Sequence, residues 1–165
     1  MTRLYLLRHG LAVPHGTEGI AEDERPLTEK GEKRIRQVAR GLKRLKLKVD
    51  RIVTSPLPRA SRTAEIVANS LDLAYLLEEA DVLRPDSTPE AIGEWLKTRV
   101  EGRILLVGHN PNLSLLLSLL TTGSSSPTVV ELRKGGVAAL RETPAGRQFQ
   151  LEWITRPRLI RRFAD

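Results

Sequence analysis

The sequence predicts an α/β fold: three α/β/α layers around a mainly parallel central sheet, with antiparallel strands toward the C-terminus. Through the first two thirds of the chain, short apolar runs alternate with segments of helical period, the pattern of right-handed crossovers between parallel strands. Further on, three strand-like runs are separated only by turn residues. Nothing resembles a repeat or an inter-domain linker. The 165 residues fit a single domain spanning 1–165, since domains usually hold ~100–200 residues.

Leu4 to Leu7 is a short apolar run that stops at Arg8, His9 and Gly10, as a buried strand feeding a loop does. Leu11 to Pro26, rich in Gly, Pro and acids, reads as a loop. Thr28 is placed to cap a helix whose apolar residues Ile35, Val38, Ala39, Leu42 and Leu45 recur every three or four positions. Asp50 to Thr54 forms a second strand. Ser55-Pro56 then pairs an N-cap residue with a first-turn proline, predicting a helix from Pro56 to about Leu71 that buries Ala60, Ala64, Val67 and Ala68.

Between Asp72 and Asp86 the pattern weakens, leaving only a short strand near Asp81-Val82-Leu83. Thr88-Pro89-Glu90 opens a helix through Trp95 and Leu96 toward Val100. Arg103 to Val107 is the clearest buried strand. Asn110-Pro111 again reads as cap and first helical residue, before an apolar helix from Asn112 to Leu120. Gly123 to Pro127 is a loop. Thr128–Arg133, Gly136–Arg141 and Phe149–Ile154 read as strands joined by turns at Lys134-Gly135 and Pro144-Ala145-Gly146.

Composition narrows the function. The 27 Lys and Arg exceed the 20 Asp and Glu by seven, which favours an anionic partner. Twenty of those cations are Arg, suited to a bidentate grip on phosphate or carboxylate. Only 4% of residues are aromatic, too few for a platform on which single-stranded nucleic acid would stack. With no cysteine, disulfide frameworks, zinc fingers and thiol nucleophiles are excluded. The N-terminal apolar run is too short for a signal peptide, and Leu113 to Leu120 falls far short of the ~20 residues of a membrane span. A soluble cytoplasmic protein is expected.

The chemistry concentrates at strand ends. His9 and His109 each follow a buried strand and adjoin a glycine, so strands parallel in one sheet deliver both imidazoles to the same edge. The strand ending at Thr54 brings Ser55 and, one helical turn later, Arg59 to that edge. Arg8, His9, Arg59 and His109, with Asn110 at a helix start, make a phosphate site from fixed cations, imidazoles and helix N-terminal amides. His15, in a Pro-His-Gly loop, reads as surface, Arg62 as a salt-bridging residue and Ser55 as a cap. Arg156, Arg158, Arg161 and Arg162 read as a solvated or packed basic tail.

These motifs, Arg8-His9-Gly10 after a strand, Ser55-Pro56-Leu57-x-Arg59-Ala60-x-x-Thr63-Ala64 and Val107-Gly108-His109-Asn110-Pro111, stand in the order of the histidine phosphatase superfamily, which includes phosphoglycerate mutases. Pro26-Leu27-Thr28-x-x-Gly31, the late Gly135-Gly136 hairpin and the short chain resemble its phosphohistidine phosphatase branch, the SixA type. The resemblance implies a phosphoglycerate mutase-like fold and a phosphatase without metal or other cofactor. In it His9 attacks phosphorus to form a phosphohistidine intermediate, while Arg8, Arg59 and His109 stabilise the equatorial oxygens.

A general acid does not align with the family; Asp81, Asp86, Glu22, Asp23 and Glu24 are the candidates. Phosphohistidine protonated on its far nitrogen leaves as neutral imidazole and needs such an acid less, which favours a phosphorylated protein, such as a phosphotransfer domain, as substrate. An acid within reach of the phosphate would instead favour a small phosphate ester. A nucleic-acid-binding module and a phosphoprotein-binding domain without turnover are the readings from other classes.

Overall fold

The computed structural model describes residues 3–146 and 148–164. Its strands are β1 (Arg3–Arg8), β2 (Arg51–Thr54), β3 (Leu77–Glu79), β4 (Arg103–Gly108), β5 (Val137–Glu142) and β6 (Phe149–Thr155), in the spatial order β3-β2-β4-β1-β5-β6. β1 and β4 are parallel, as are β2 and β4 and β2 and β3, whereas β5 is antiparallel to β1 and to β6. A mainly parallel sheet with antiparallel C-terminal strands is thus the observed architecture.

Period-two alternation puts Tyr5, Leu7, Leu105 and Val107 on one face, against α1 (Glu29–Arg44) and α2 (Pro58–Ser70). Leu4, Leu6, Ile104 and Leu106 face α3 (Pro89–Lys97) and α4 (Asn112–Thr122) on the other. Because both faces are covered, the central strands are apolar throughout rather than alternating. Among the described residues no helix is long and apolar enough to cross a membrane.

Thr28 caps α1 as expected, its Oγ1 accepting the Gly31 N–H at 3.0 Å. The stripe Ile35, Val38, Ala39 and Leu42 is buried, but Leu45 follows the last helical residue and is half exposed. Thr88 caps α3 in the same manner through the Ala91 N–H. A short helix, α5 (Pro157–Ile160), and a 3-10 turn (Arg161–Ala164) lie against α1, burying Ile160 and Ala164, so the basic tail is a packed element. The approach is close: a Cβ on Gly41 of α1 would lie 2.3 Å from the Ile160 carbonyl oxygen.

Four expectations are corrected. Asp81–Leu83 is a 3-10 turn, not a strand, and the strand of that region is β3, which pairs with β2 at Leu77, Glu78 and Glu79. α2 starts at Pro58 rather than Pro56, since Ser55 Oγ accepts the Leu57 N–H (3.3 Å) in a turn ahead of the helix. Asn110 does not cap α4: its amide donates to the Leu132 carbonyl (3.0 Å) and accepts from Ser114 Oγ (3.0 Å). Thr128–Arg133 is irregular because side chains take its backbone groups. Ser118 Oγ accepts the Val129 N–H and Ser114 Oγ the Leu132 N–H, in place of a strand partner.

Candidate active site

Register sets the site. Arg8 stands level with Gly108, and Thr54 with Val107, at the carboxyl ends of β1, β4 and β2. The ladder continues one residue further, with the His9 N–H on the Gly108 carbonyl and the Ser55 N–H on the Val107 carbonyl, both at 3.0 Å. His9, Ser55 and His109 therefore emerge side by side, the two imidazole centroids 5.2 Å apart and both rings buried.

His9 Nδ1 lies 2.7 Å from the Gly10 carbonyl oxygen. A carbonyl only accepts, so Nδ1 carries the proton and Nε2 is left with a free lone pair. Gly10 is itself held from α2: its N–H donates to Thr63 Oγ1 (3.0 Å), which donates to the Arg59 carbonyl (2.7 Å). Burial, together with Arg59, Arg8 and Lys134, pushes the His9 imidazole down to about 3, against a backbone hydrogen bond that acts the other way. Burial first and then His9 and Arg59 bring His109 down to about 3 as well. His109 Nε2 is 2.8 Å from Ser55 Oγ, and its Nδ1 is buried without a partner among the described residues.

The first turn of α2 carries Arg59, which is buried and donates through Nη1 to the Glu22 carbonyl (2.9 Å). Arg8 donates through Nη1 to the Leu132 carbonyl (2.8 Å), within 3.5 Å of Glu131. In both arginines Nε is buried without a partner among the described residues. Arg8, His9, Arg59, His109 and Asn110 all line one open cavity of about 600 Å³. All five residues expected at the site are thus brought together.

The loop between β1 and α1 contributes what the sequence reading left out. Arg25 lines the cavity, its guanidinium fixed by the Val13 carbonyl (2.7 Å) and by Glu22. His15 is exposed yet also lines the cavity and bonds Glu22, while Lys134 comes from the turn before β5. Arg25 hid among loop charges, and only a motif joining it to Pro26-Leu27-Thr28 could have singled it out.

Of the candidate acids, Glu22, Asp23 and Asp86 line the cavity. Hydrogen bonds from Arg25 and His15 pull the Glu22 carboxyl down to about 2. Asp23 is paired with Arg84 at 2.8 Å, and Asp86 stands 3.9 Å from the same guanidinium. Asp81 and Glu24 do not line the cavity. Arg62 is a salt-bridging residue, held by Glu32 (2.8 Å) and Glu65 (2.9 Å).

Residues 4–82 match the profile of the histidine phosphatase superfamily (branch 1). An uncharacterised protein of Picosynechococcus sp. is 36% identical over 146 residues, 86% of either chain. The chain belongs to the histidine phosphatase superfamily. Within that superfamily it is 29% identical over 128 residues to phosphohistidine phosphatase SixA of Escherichia coli K12, covering 76% of this chain and 78% of the other. A solved structure of the protein histidine phosphatase SixA complexed with tungstate superposes with a TM-score of 0.85 at 24% identity, over 96% of this chain and 99% of that one. At that identity the likeness concerns the fold. The superfamily comprises phosphatases and mutases that act on phosphorylated substrates.

Proposed function

We propose that the chain is a metal-independent phosphatase that removes phosphate from protein phosphohistidine by way of a phosphorylated His9. The observation that carries this reading is the 2.7 Å bond from His9 Nδ1 to the Gly10 carbonyl, which leaves Nε2 as a neutral nucleophile at the floor of a cationic cavity. The Nε2 lone pair attacks phosphorus, a P–N bond forms to His9, and the substrate P–N bond breaks. The leaving imidazole, protonated on its distant nitrogen, departs neutral. Water then attacks phosphorus, the His9 P–N bond breaks, and phosphate leaves with His9 restored.

The unpartnered N–H groups of Arg8 and Arg59 supply donors for the equatorial oxygens. With Ser55 donating to His109 Nε2, the His109 Nδ1–H becomes a third such donor. The E. coli relative, a phosphohistidine phosphatase, supports the substrate class. So do the acids: Glu22 is held ionised, a poor state for a proton donor, and Asp23 is paired with Arg84. A second reading, a phosphatase of small phosphate monoesters, rests on Asp86, which lines the cavity and is only loosely paired.

Mixing the protein with a phosphohistidine-bearing domain and quenching in alkali should trap acid-labile phosphate on His9, and His9→Ala should lose at least ~1000-fold in rate, as removal of a nucleophile does. Activity surviving in His9→Ala overturns the mechanism. A panel of monoesters turned over faster than phosphohistidine, with Asp86→Asn slowing the esters alone, moves the assignment to the second reading.

A further inference from the structure

Outside the cavity, cations gather on one further surface. Lys30, Lys33 and Arg34 on α1 meet Arg158 of α5 and Arg161 and Arg162 of the turn that follows. They ring two adjoining clefts of about 320 and 430 Å³ that share Arg34, Arg158 and Arg161. Among the described residues none of the six has an ion-pair partner. Of the two acids beside them on α1, Glu32 is occupied by Arg36 and Arg62, and among the described residues Glu29 pairs with none of the six. Burial first, and then the neighbouring Arg34 and Arg158, hold the Arg161 guanidinium below its ordinary range.

This surface is continuous with the candidate active site. Lys134 lines both the cavity and the nearer cleft, whose wall also includes Arg133, Arg156 and the backbone directly after His9. A small ester seated at His9 ends within the cavity. A protein whose phosphoryl group enters the cavity must lay its surrounding surface over this rim.

We propose that the basic face of α1 and the C-terminal segment is a docking surface for the acidic side chains that flank the phosphorylated histidine of a protein substrate. The proposal rests on the reading of the cavity as a site for protein-bound phosphate. Charge complementarity of this kind raises encounter rate and affinity and is screened by salt over ~8 Å at physiological ionic strength.

The test uses two P–N substrates: a histidine phosphotransfer domain of net negative charge, phosphorylated, and phosphoramidate, which reads the cavity alone. In a variant carrying Arg34→Gln, Arg158→Gln and Arg162→Gln, checked for folding by circular dichroism, kcat/KM for the phosphorylated domain should fall about tenfold through KM. Phosphoramidate hydrolysis should be unchanged, and the gap between variant and wild type should close as salt rises from about 50 to about 500 mM. No loss on the domain, or equal loss on both substrates, overturns the docking surface.

If wild type hydrolyses phosphoramidate but not the phosphorylated domain, the proposed substrate class fails. The docking surface is then read by binding of the unphosphorylated domain, where salt-sensitive binding weakened in the variant upholds it and absence of binding overturns it. Tighter capture of duplex DNA or of phosphatidylglycerol vesicles than of the acidic domain also overturns it, assigning the surface to those polyanions.

Discussion

A histidine serves as a nucleophile only with a bare nitrogen, and at His9 a single carbonyl decides which nitrogen that is. The cost of keeping the ring neutral and buried appears in acid. Both His9 and His109 sit near 3 in the folded chain, against ~6.5 for a free imidazole. Below pH ~6.5 the unfolded chain therefore takes up protons that the native chain refuses, so stability falls as pH drops from about 6.5 toward 3. Replacing both residues by Asn should flatten that part of the profile. Guanidinium unfolding at pH 7 and pH 4.5 tests this, and parallel losses in wild type and the double variant would show that burial does not hold the rings neutral.

The elements matter through how closely they approach the loop behind His9. The first turn of α1 rests on Leu11, whose carbonyl accepts the Thr28 N–H at 3.0 Å and the Thr28 hydroxyl at 3.2 Å. A Cβ on Gly31 would fall 2.0 Å from that same oxygen. Gly→Ala inside a helix ordinarily stabilises by up to ~1 kcal/mol, but overpacking here reverses the sign, and Gly31→Ala should destabilise by roughly 1–3 kcal/mol. Denaturant midpoints report the loss. A fall in kcat beyond what unfolding explains would show that the shift reaches His9, and an unchanged or raised midpoint would refute the packing argument.

This level also separates what was legible in the sequence from what was not. β1, β2 and β4 could be read because strands buried on both faces must be apolar throughout, and the same runs place His9 and His109 at their ends. β3 was missed because its pairing is made by three backbone units whose side chains include Glu78 and Glu79, which gives no apolar pattern. Thr128–Arg133 looked like a strand from its β-branched residues, yet the serines of α4 claim its amides. Arg25 escaped notice because a loop arginine gains meaning only when folding sets it beside Arg59.

Across the whole molecule the surplus of seven positive charges divides into two parts. One is the cavity, where among the described residues the buried Nε groups of Arg8 and Arg59 and Nδ1 of His109 have no partner. An oxyanion that satisfies them should stabilise the native state, since a ligand binding only that state contributes RT ln(1 + [L]/Kd). Inorganic phosphate at a hundred times its Kd, worth about 2.7 kcal/mol, should raise Tm by several degrees. Arg59→Ala should abolish the rise, and a shift that persists in Arg59→Ala would place the anion elsewhere. The other part is the basic face of α1 and α5. The connectivity of the sheet has a bearing on biosynthesis. β1 leaves the ribosome well before its partners, β4 and β5. Until Leu132 and Gly135 have also emerged, Arg8 lacks its carbonyl anchor and the turn beside His9 is unmade. A chain cut short before Gly135 thus lacks the contacts that assemble the proposed phosphoryl site, so the ability to accept phosphate should follow synthesis of that turn.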